Sequence, residues 1–156
     1  MRICKSIIIT ITAIFAWLYA GAEDARLPLA GESTINTVIL DVAEAVFRYQ
    51  FGRGSQWPRE RIAAYYLLLF RKDPNDDFLA RFQTLPPSAP IRKGSEFKIG
   101  KGVQYDVATI KEIRDNLMEV DGGGYFAELD GYRATYLVEK KIEGWTVATQ
   151  SIYLVK

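Results

Sequence analysis

The side chains that most enzymes use for acid–base and nucleophilic chemistry are scarce in this sequence. It contains no histidine and a single cysteine, Cys4. A Ser-His-Asp or Cys-His arrangement therefore cannot form within it, and neither can a zinc site built on cysteine and histidine. Carboxylates are the remaining groups for proton transfer and for metal binding. We accordingly assign no catalytic residue, no metal site and no cofactor from the sequence.

Carboxylates on or beside the predicted strands are the one route left to catalysis. They are Glu112, Glu119, Asp121 and Glu128. Two of them could act as the acid and base of a glycosidase pair. The alternative is that these carboxylates are ordinary charged side chains on the solvated face of the sheet. No two of them are spaced in the sequence in a way that marks a catalytic pair.

Two loops begin like ligand-binding motifs and then depart from them. Residues 73–77 place oxygen side chains at the first, third and fifth positions of a calcium loop, but Phe78 takes the place of the required glycine. We interpret this segment as the cap of a short helix. Residues 94–102 are similar to a phosphate loop, but five residues separate Gly94 from Gly100 where the motif has four. We interpret them as a turn that leads into the sheet.

Two other segments could contact a partner. One is a basic stretch around Phe97, formed by Arg92, Lys93, Lys98 and Lys101. It could meet an anionic surface or an acidic partner, and a solvated loop is the alternative.

The second segment is the glycine run 122–124, which interrupts a strand pattern. Glycine at such a place marks a bulge or the close approach of a backbone or ligand. A bend that lets the sheet curve over a helix is the structural interpretation. If the run instead marks a surface that binds a partner, the expected binding residues are Gly124, Tyr125, Phe126 and Tyr132.

The N-terminal residues have the three zones of a secretory signal peptide. Arg2 and Lys5 precede the apolar run 7–18, and Ala20 and Ala22 form a small-residue cleavage motif. We expect cleavage after Ala22 and a periplasmic or secreted product, residues 23–156, without a stable membrane anchor. Cleavage would remove Cys4 and change the formal net charge from +1 to −1. That balance argues against nucleic-acid binding, which usually requires a basic face.

Helical patterns fill the first part of the expected domain. Apolar residues recur along one face between Ile35 and Tyr49 and predict a helix that ends at Gly52. The run 62–70 is compatible with helix or strand, and we favour helix through Ala64 with an extended end. A short helix is predicted over residues 77–82.

The proline-rich connector 85–90 divides this helical part, residues 32–83, from a sheet part, residues 97–156. Alternating apolar residues and short turns, with a hairpin signal at Asp130-Gly131, predict an antiparallel meander. The predicted fold class is therefore α+β, one domain in which N-terminal helices pack on a curved antiparallel β-meander of about four strands.

From Tyr65 to Lys156 the order of features resembles that of small exported bacterial proteins to which no activity is assigned. The matching pieces are residues 73–74, 78–82, 94–97, 120–126, 135–138 and 144–147. Helices followed by a curved sheet are also similar to the cystatin-like and NTF2-like architectures. The resemblance implies export and a shared α+β fold, and it assigns no catalytic residue.

The function that these observations favour is non-enzymatic binding outside the cytoplasm, as by a periplasmic inhibitor, an immunity-type protein or an envelope accessory factor. The partner would be another envelope or secreted protein. The alternative is an NTF2-like small-molecule binder or carboxylate-dependent hydrolase, with Tyr105, Tyr136 and Trp145 around its cavity. A third possibility is a subunit that assembles through an exposed sheet edge.

Overall fold

A computed structural model of the chain describes residues 32–53, 62–84, 87–127 and 130–154. The predicted cleavage motif at Ala20 and Ala22 and the carboxylate Glu128 lie outside these residues. None of the described helices is long and apolar enough to cross a membrane.

The first element is a helix, α1, which spans Glu32–Arg53 and confirms the prediction from apolar spacing. Val42 and Val46 are fully buried, as expected of positions on the apolar face. Ala43 and Phe47 are buried beside them, so the face is one residue wider than the sequence pattern indicated. The helix also continues through Gly52 instead of ending there.

The ambiguous run is a strand. β1 spans Tyr65–Leu69, and residues 62–64 have no regular structure, so the prediction of helix through Ala64 is wrong at these positions. β1 lies between two other strands and its first three residues are buried. A strand buried on both faces loses the polar alternation that identifies strands in a sequence, which explains the ambiguity.

The next helix confirms the capping interpretation of residues 73–77. α2 spans Asp76–Ala80, and the Asn75 side chain accepts a hydrogen bond from the Phe78 backbone N–H at 2.9 Å. Just beyond it, Arg81 donates a hydrogen bond to Asp41 of α1 at 2.6 Å. The chain then forms the short strand β2, Ile91–Lys93, and a single turn of 3-10 helix.

Four long strands follow: β3 (Val103–Arg114), β4 (Leu117–Ala127), β5 (Asp130–Lys141) and β6 (Gly144–Leu154). They form the predicted antiparallel meander. The sheet as a whole has six strands in the order β2-β1-β3-β4-β5-β6, and β1 pairs parallel with both β2 and β3. The prediction of about four antiparallel strands was therefore too small, because part of the sheet comes from the segment expected to be helical.

The hairpin predicted at Asp130-Gly131 is also displaced. Both residues belong to β5, and Gly131 pairs with Tyr125 of β4. A Cβ atom at Gly131 would come within 3.1 Å of both the Gly124 carbonyl oxygen and the Tyr125 ring, so glycine leaves room for these neighbours.

The core lies between α1 and one side of the sheet. We call this the helix-facing side, and its buried residues on the sheet are Tyr65, Leu67, Val103, Tyr105, Val107, Val120, Ala134, Tyr136 and Val138. Alternate residues of the same strands point to the other side, here called the outer side. Asp106, Gly123 and Arg133 form one cross-strand row on the outer side.

Candidate functional site

The predicted partner residues divide between the two sides of the sheet. Gly124 pairs with Tyr105 of β3 and Tyr132 of β5, so these three residues share the helix-facing side. Phe126 packs partly against the core on the same side. Tyr125 occupies the alternate position and faces outward. The structure thus brings Gly124 and Tyr132 together and separates Tyr125 from them.

The glycine run makes room for neighbouring rings and backbone. A Cβ atom on Gly124 would lie 2.7 Å from the Tyr132 ring and 2.9 Å from the Tyr105 ring. On Gly122 it would collide with the backbone carbonyl of Asp106. Both contacts involve the protein itself, and they support the structural interpretation of the run.

A buried hydrogen-bond network lies under the run at the end of α1. Gln50 is 0% exposed, and its Nε2 donates to the Gly123 carbonyl and to the Tyr136 hydroxyl, both at 3.1 Å. Its Oε1 has no hydrogen-bond partner among the residues that the structure describes. Gln50 was not identified from the sequence, because a polar residue within an apolar helix face resembles an ordinary break in the pattern.

Tyrosine hydroxyls in this network are held in the neutral form. Burial raises the pKa of Tyr136 and that of Tyr132. Burial likewise raises the pKa of Tyr105, whose ring stacks on Tyr65 with 5.9 Å between centroids. Neutral hydroxyls packed in this way support α1 and are poor nucleophiles.

Two of the aromatic side chains predicted to line a ligand cavity, Tyr105 and Tyr136, pack in the core instead. Tyr105 and Tyr136 are at most 1% exposed, and the Tyr136 ring meets Tyr49 edge-on at 6.0 Å. Trp145 is half-buried and lines a surface groove of 300 Å³ instead. In that groove Glu44 is paired with Arg48 and Asp41 with Arg81, so these carboxylates are neutralised by nearby arginines.

A second groove, of 370 Å³, lies beside α2 and the edge strand β2. Its apolar lining includes Leu79, Phe82, Ala89 and Ile91. Its walls hold one acidic side chain, Asp76, which is engaged with Lys93 at 2.8 Å.

On the outer side, one arginine bridges two strands. Arg133 donates to Asp106 at 2.6 Å and to Asp121 at 2.7 Å. Gly123 lies between Asp106 and Arg133 in the same row and has no side chain, so the arginine can cross β4. Burial lowers the pKa of Arg133, but the hydrogen bonds to the two aspartates outweigh it and the net direction is upward.

The candidate catalytic carboxylates are not assembled into a site by these contacts. Asp121 is held by Arg133, Glu112 is exposed opposite Met118, and Glu119 lies opposite Lys111. Among the described residues there is no group of three acidic side chains placed to hold a metal ion.

The basic stretch divides into two halves. Arg92 and Lys93 form ion pairs, and Lys98 and Lys101 are called the open half here. Arg92 forms an ion pair with Glu96 at 3.4 Å, and Lys93 with Asp76 at 2.8 Å. The hydrogen bond that Lys93 donates to Asp76 raises the pKa of Lys93. Lys98 and Lys101 are exposed in the loop before β3, and neither forms an ion pair with any residue in the described ranges.

The open half of the basic stretch is fixed next to Tyr125. Tyr66, Gln104 and Tyr125 form one cross-strand row on the outer side of β1, β3 and β4. The Phe97 ring meets Tyr66 edge-on at 5.4 Å and Tyr125 at 5.8 Å, so it covers this row. The loop is also held by its backbone, since the Gly100 N–H donates to the Phe126 carbonyl at 3.3 Å.

These contacts define one surface, which we call the Phe97 patch. Its members are Tyr66, Phe97, Lys98, Ile99, Lys101 and Tyr125. Ile99 is 51% exposed, and Phe97 and Tyr125 are half-buried. Phe97 and the lysines belong to the predicted basic stretch, and Tyr125 to the predicted partner segment. Tyr66 and Ile99 were not identified, because Tyr66 lies in an apolar run next to the buried Tyr65 and no local signal distinguishes the two tyrosines.

Comparison with protein-family models, with curated proteins and with solved structures finds no match to this chain. The resemblance to small exported bacterial proteins, and the likeness to cystatin-like and NTF2-like architectures, therefore remain predictions.

Proposed function

We propose that this chain is an exported, non-enzymatic binding protein that engages another envelope or secreted protein through the Phe97 patch. The observation that carries the proposal is the contact between Phe97 and Tyr125. It joins the basic stretch to Tyr125, the one residue of the predicted partner segment that faces the outer side of the sheet.

The composition of the patch suits protein recognition. Phe97 and Tyr125 are half-buried over the buried Tyr66, and Lys98, Ile99 and Lys101 are exposed beside them. Interfaces between proteins combine aromatic and apolar anchors with polar side chains in this way. The two lysines favour a partner whose surface is acidic around an apolar pocket, because complementary charge directs association.

The carboxylates and hydroxyls that could take part in catalysis are engaged in structural contacts, which supports binding over catalysis. Asp106 and Asp121 are paired with Arg133, and the hydroxyls of Tyr132 and Tyr136 lie in a buried network with raised pKa values. Ionisable groups with shifted pKa values that converge in a pocket would instead indicate an active site. The small-molecule alternative has less support, because Tyr105 and Tyr136 are packed against other rings.

Site-specific photo-crosslinking tests the proposal. A photoreactive amino acid is placed at Ile99, and the matched control carries it at Ile113, which is similarly exposed at 49% against 51%. Ile113 lies near the end of β3, outside the patch. After irradiation in an envelope extract, we expect one discrete crosslinked protein from position 99 and none from position 113. Equal crosslinking from both positions, or none from either, would contradict the assignment of the patch.

A further inference from the structure

The far edge of the sheet is formed by β6. β6 spans Gly144–Leu154, 11 residues, and within the described part of the chain it pairs with β5 alone. The outer edge of such a strand presents a row of unpaired N–H and C=O groups, which is a template for a further strand.

The sequence of β6, GWTVATQSIYL, lacks the charged residues and prolines that often protect an edge strand. The opposite edge is different, since β2 has only three residues and two of them are Arg92 and Lys93. Short length and positive charge are common devices against edge pairing. A register shift against β5 near Ala148 interrupts β6, but from Thr149 to Leu154 the pairing is regular.

The apolar layer of the core continues to this edge without being closed there. Ile152 pairs with the buried Ala134 and is 46% exposed. Trp145 and Val147 are half-buried and pack against the core on the same side. A strand added to β6 would cover this apolar margin as well as the free backbone groups.

We propose that β6 pairs antiparallel with β6 of a second copy of this chain, so that the two six-stranded sheets become continuous. β6 itself carries no charge, so its side chains oppose no like charges when it meets its own copy. The charge beside this edge is that of Arg53 on α1, which donates a hydrogen bond to Gln150 Oε1 on the helix-facing side. A twofold axis satisfies both strands at once, and it is the commonest symmetry of protein oligomers.

The pleat limits the register of this pair. Residues that share a side must face each other, and a twofold axis at Ser151 meets this condition. It places Gln150 of one copy opposite Ile152 of the other, both on the helix-facing side. The Phe97 patch lies on β1, β4 and the loop before β3, so the pairing is independent of the proposed partner surface.

The test is the mass of the purified protein in solution, measured by light scattering and sedimentation over a range of concentrations. We expect a dimer for the wild type and a monomer for Ser151→Lys, since this change places two lysines face to face at the axis. Thr149→Lys, at a second exposed position on β6, is expected to give a monomer too. The matched control is Thr109→Lys, at an exposed position on β3 opposite Asp121 of β4 and away from β6, and it should remain dimeric.

Circular dichroism of each variant establishes that it is folded. A wild type that stays monomeric at the highest concentration would overturn the proposal. So would folded Ser151→Lys and Thr149→Lys variants that remain dimeric, because the interface would then lie elsewhere. If Ser151→Lys fails to fold, the Thr149→Lys variant alone decides between the two outcomes.

Discussion

The Phe97 ring meets the Tyr125 ring with 5.8 Å between centroids and 69° between planes. Phe97 belongs to the loop before β3, whereas Tyr125 lies near the end of β4. The contact therefore holds a loop with two exposed lysines against the outer side of the sheet. This arrangement presents aromatic and charged side chains together, as a protein-binding surface does.

The contact between Gly124 and two tyrosine rings leads to a stability prediction. Gly124→Ala should lower the free energy of unfolding by about 1–3 kcal/mol, because the new methyl group overlaps the Tyr132 and Tyr105 rings. Urea denaturation measures the change. The control is Gly52→Ala, where no atom lies within 4 Å of the added carbon, and alanine in a helix should stabilise by up to about 1 kcal/mol. Equal effects of the two substitutions would show that the rings adjust freely.

The buried network at the end of α1 predicts a difference between two tyrosines. Tyr136→Phe should cost about 1–2 kcal/mol, because Gln50 Nε2 loses an acceptor in a buried site. Tyr105 is buried to the same degree, but no hydrogen bond to its hydroxyl occurs among the described residues. Tyr105→Phe should therefore cost clearly less in the same denaturation experiment. If the losses are equal, the hydrogen bond from Gln50 contributes nothing to stability.

The bridge made by Arg133 predicts a loss of stability when the arginine is removed. Arg133→Met leaves Asp106 and Asp121 without their common cation, so the free energy of unfolding should fall by about 1–3 kcal/mol at pH 7. Thermal unfolding measures the change, with Arg114→Met, an exposed position on β3, as control. Equal losses from the two substitutions would show that the bridge contributes nothing to stability.

Asp73 gives a prediction at acidic pH. Hydrogen bonds from the Ser95 hydroxyl and backbone N–H lower the pKa of Asp73 below its ordinary value of 3.8. A carboxyl group with a lowered pKa stabilises the fold above the unfolded pKa, and this contribution is lost as the pH falls through the folded pKa. Ser95→Ala should raise the pKa of Asp73 towards 3.8, as followed by an NMR titration of the carboxyl carbon. In Ser151→Ala, a distant substitution on β6, the titration should match the wild type.

The sequence allowed α1 and the meander to be predicted, because their signals are local. Apolar spacing from Ile39 to Tyr49 and short turns such as 114–116 need no knowledge of distant contacts. β1 was ambiguous, because a strand between two neighbours is apolar throughout. Its parallel pairing with β2 and β3 depends on connections that bring distant segments together, and no local pattern encodes them.

The same reasons explain why the candidate site was found in parts. The basic stretch and the segment around Tyr125 were each identified from residue type. Their contact depends on the row Tyr66, Gln104 and Tyr125, and this row exists because β1 pairs with β3. Gly124 and Tyr132 were grouped with Tyr125 by proximity in sequence, but strand alternation places them on the other side of the sheet.

The central claim is tested most directly by the dissociation constant between this protein and the partner crosslinked at Ile99. Titration calorimetry compares the wild type with the double variant Lys98→Glu/Lys101→Glu. The control is Lys111→Glu/Lys141→Glu, which reverses two exposed lysines outside the Phe97 patch. We predict that the patch variant weakens binding by at least about tenfold, which corresponds to about 1.4 kcal/mol, and that the control stays close to the wild type. Equal weakening by both variants, or unchanged binding by the patch variant, would contradict the proposed function.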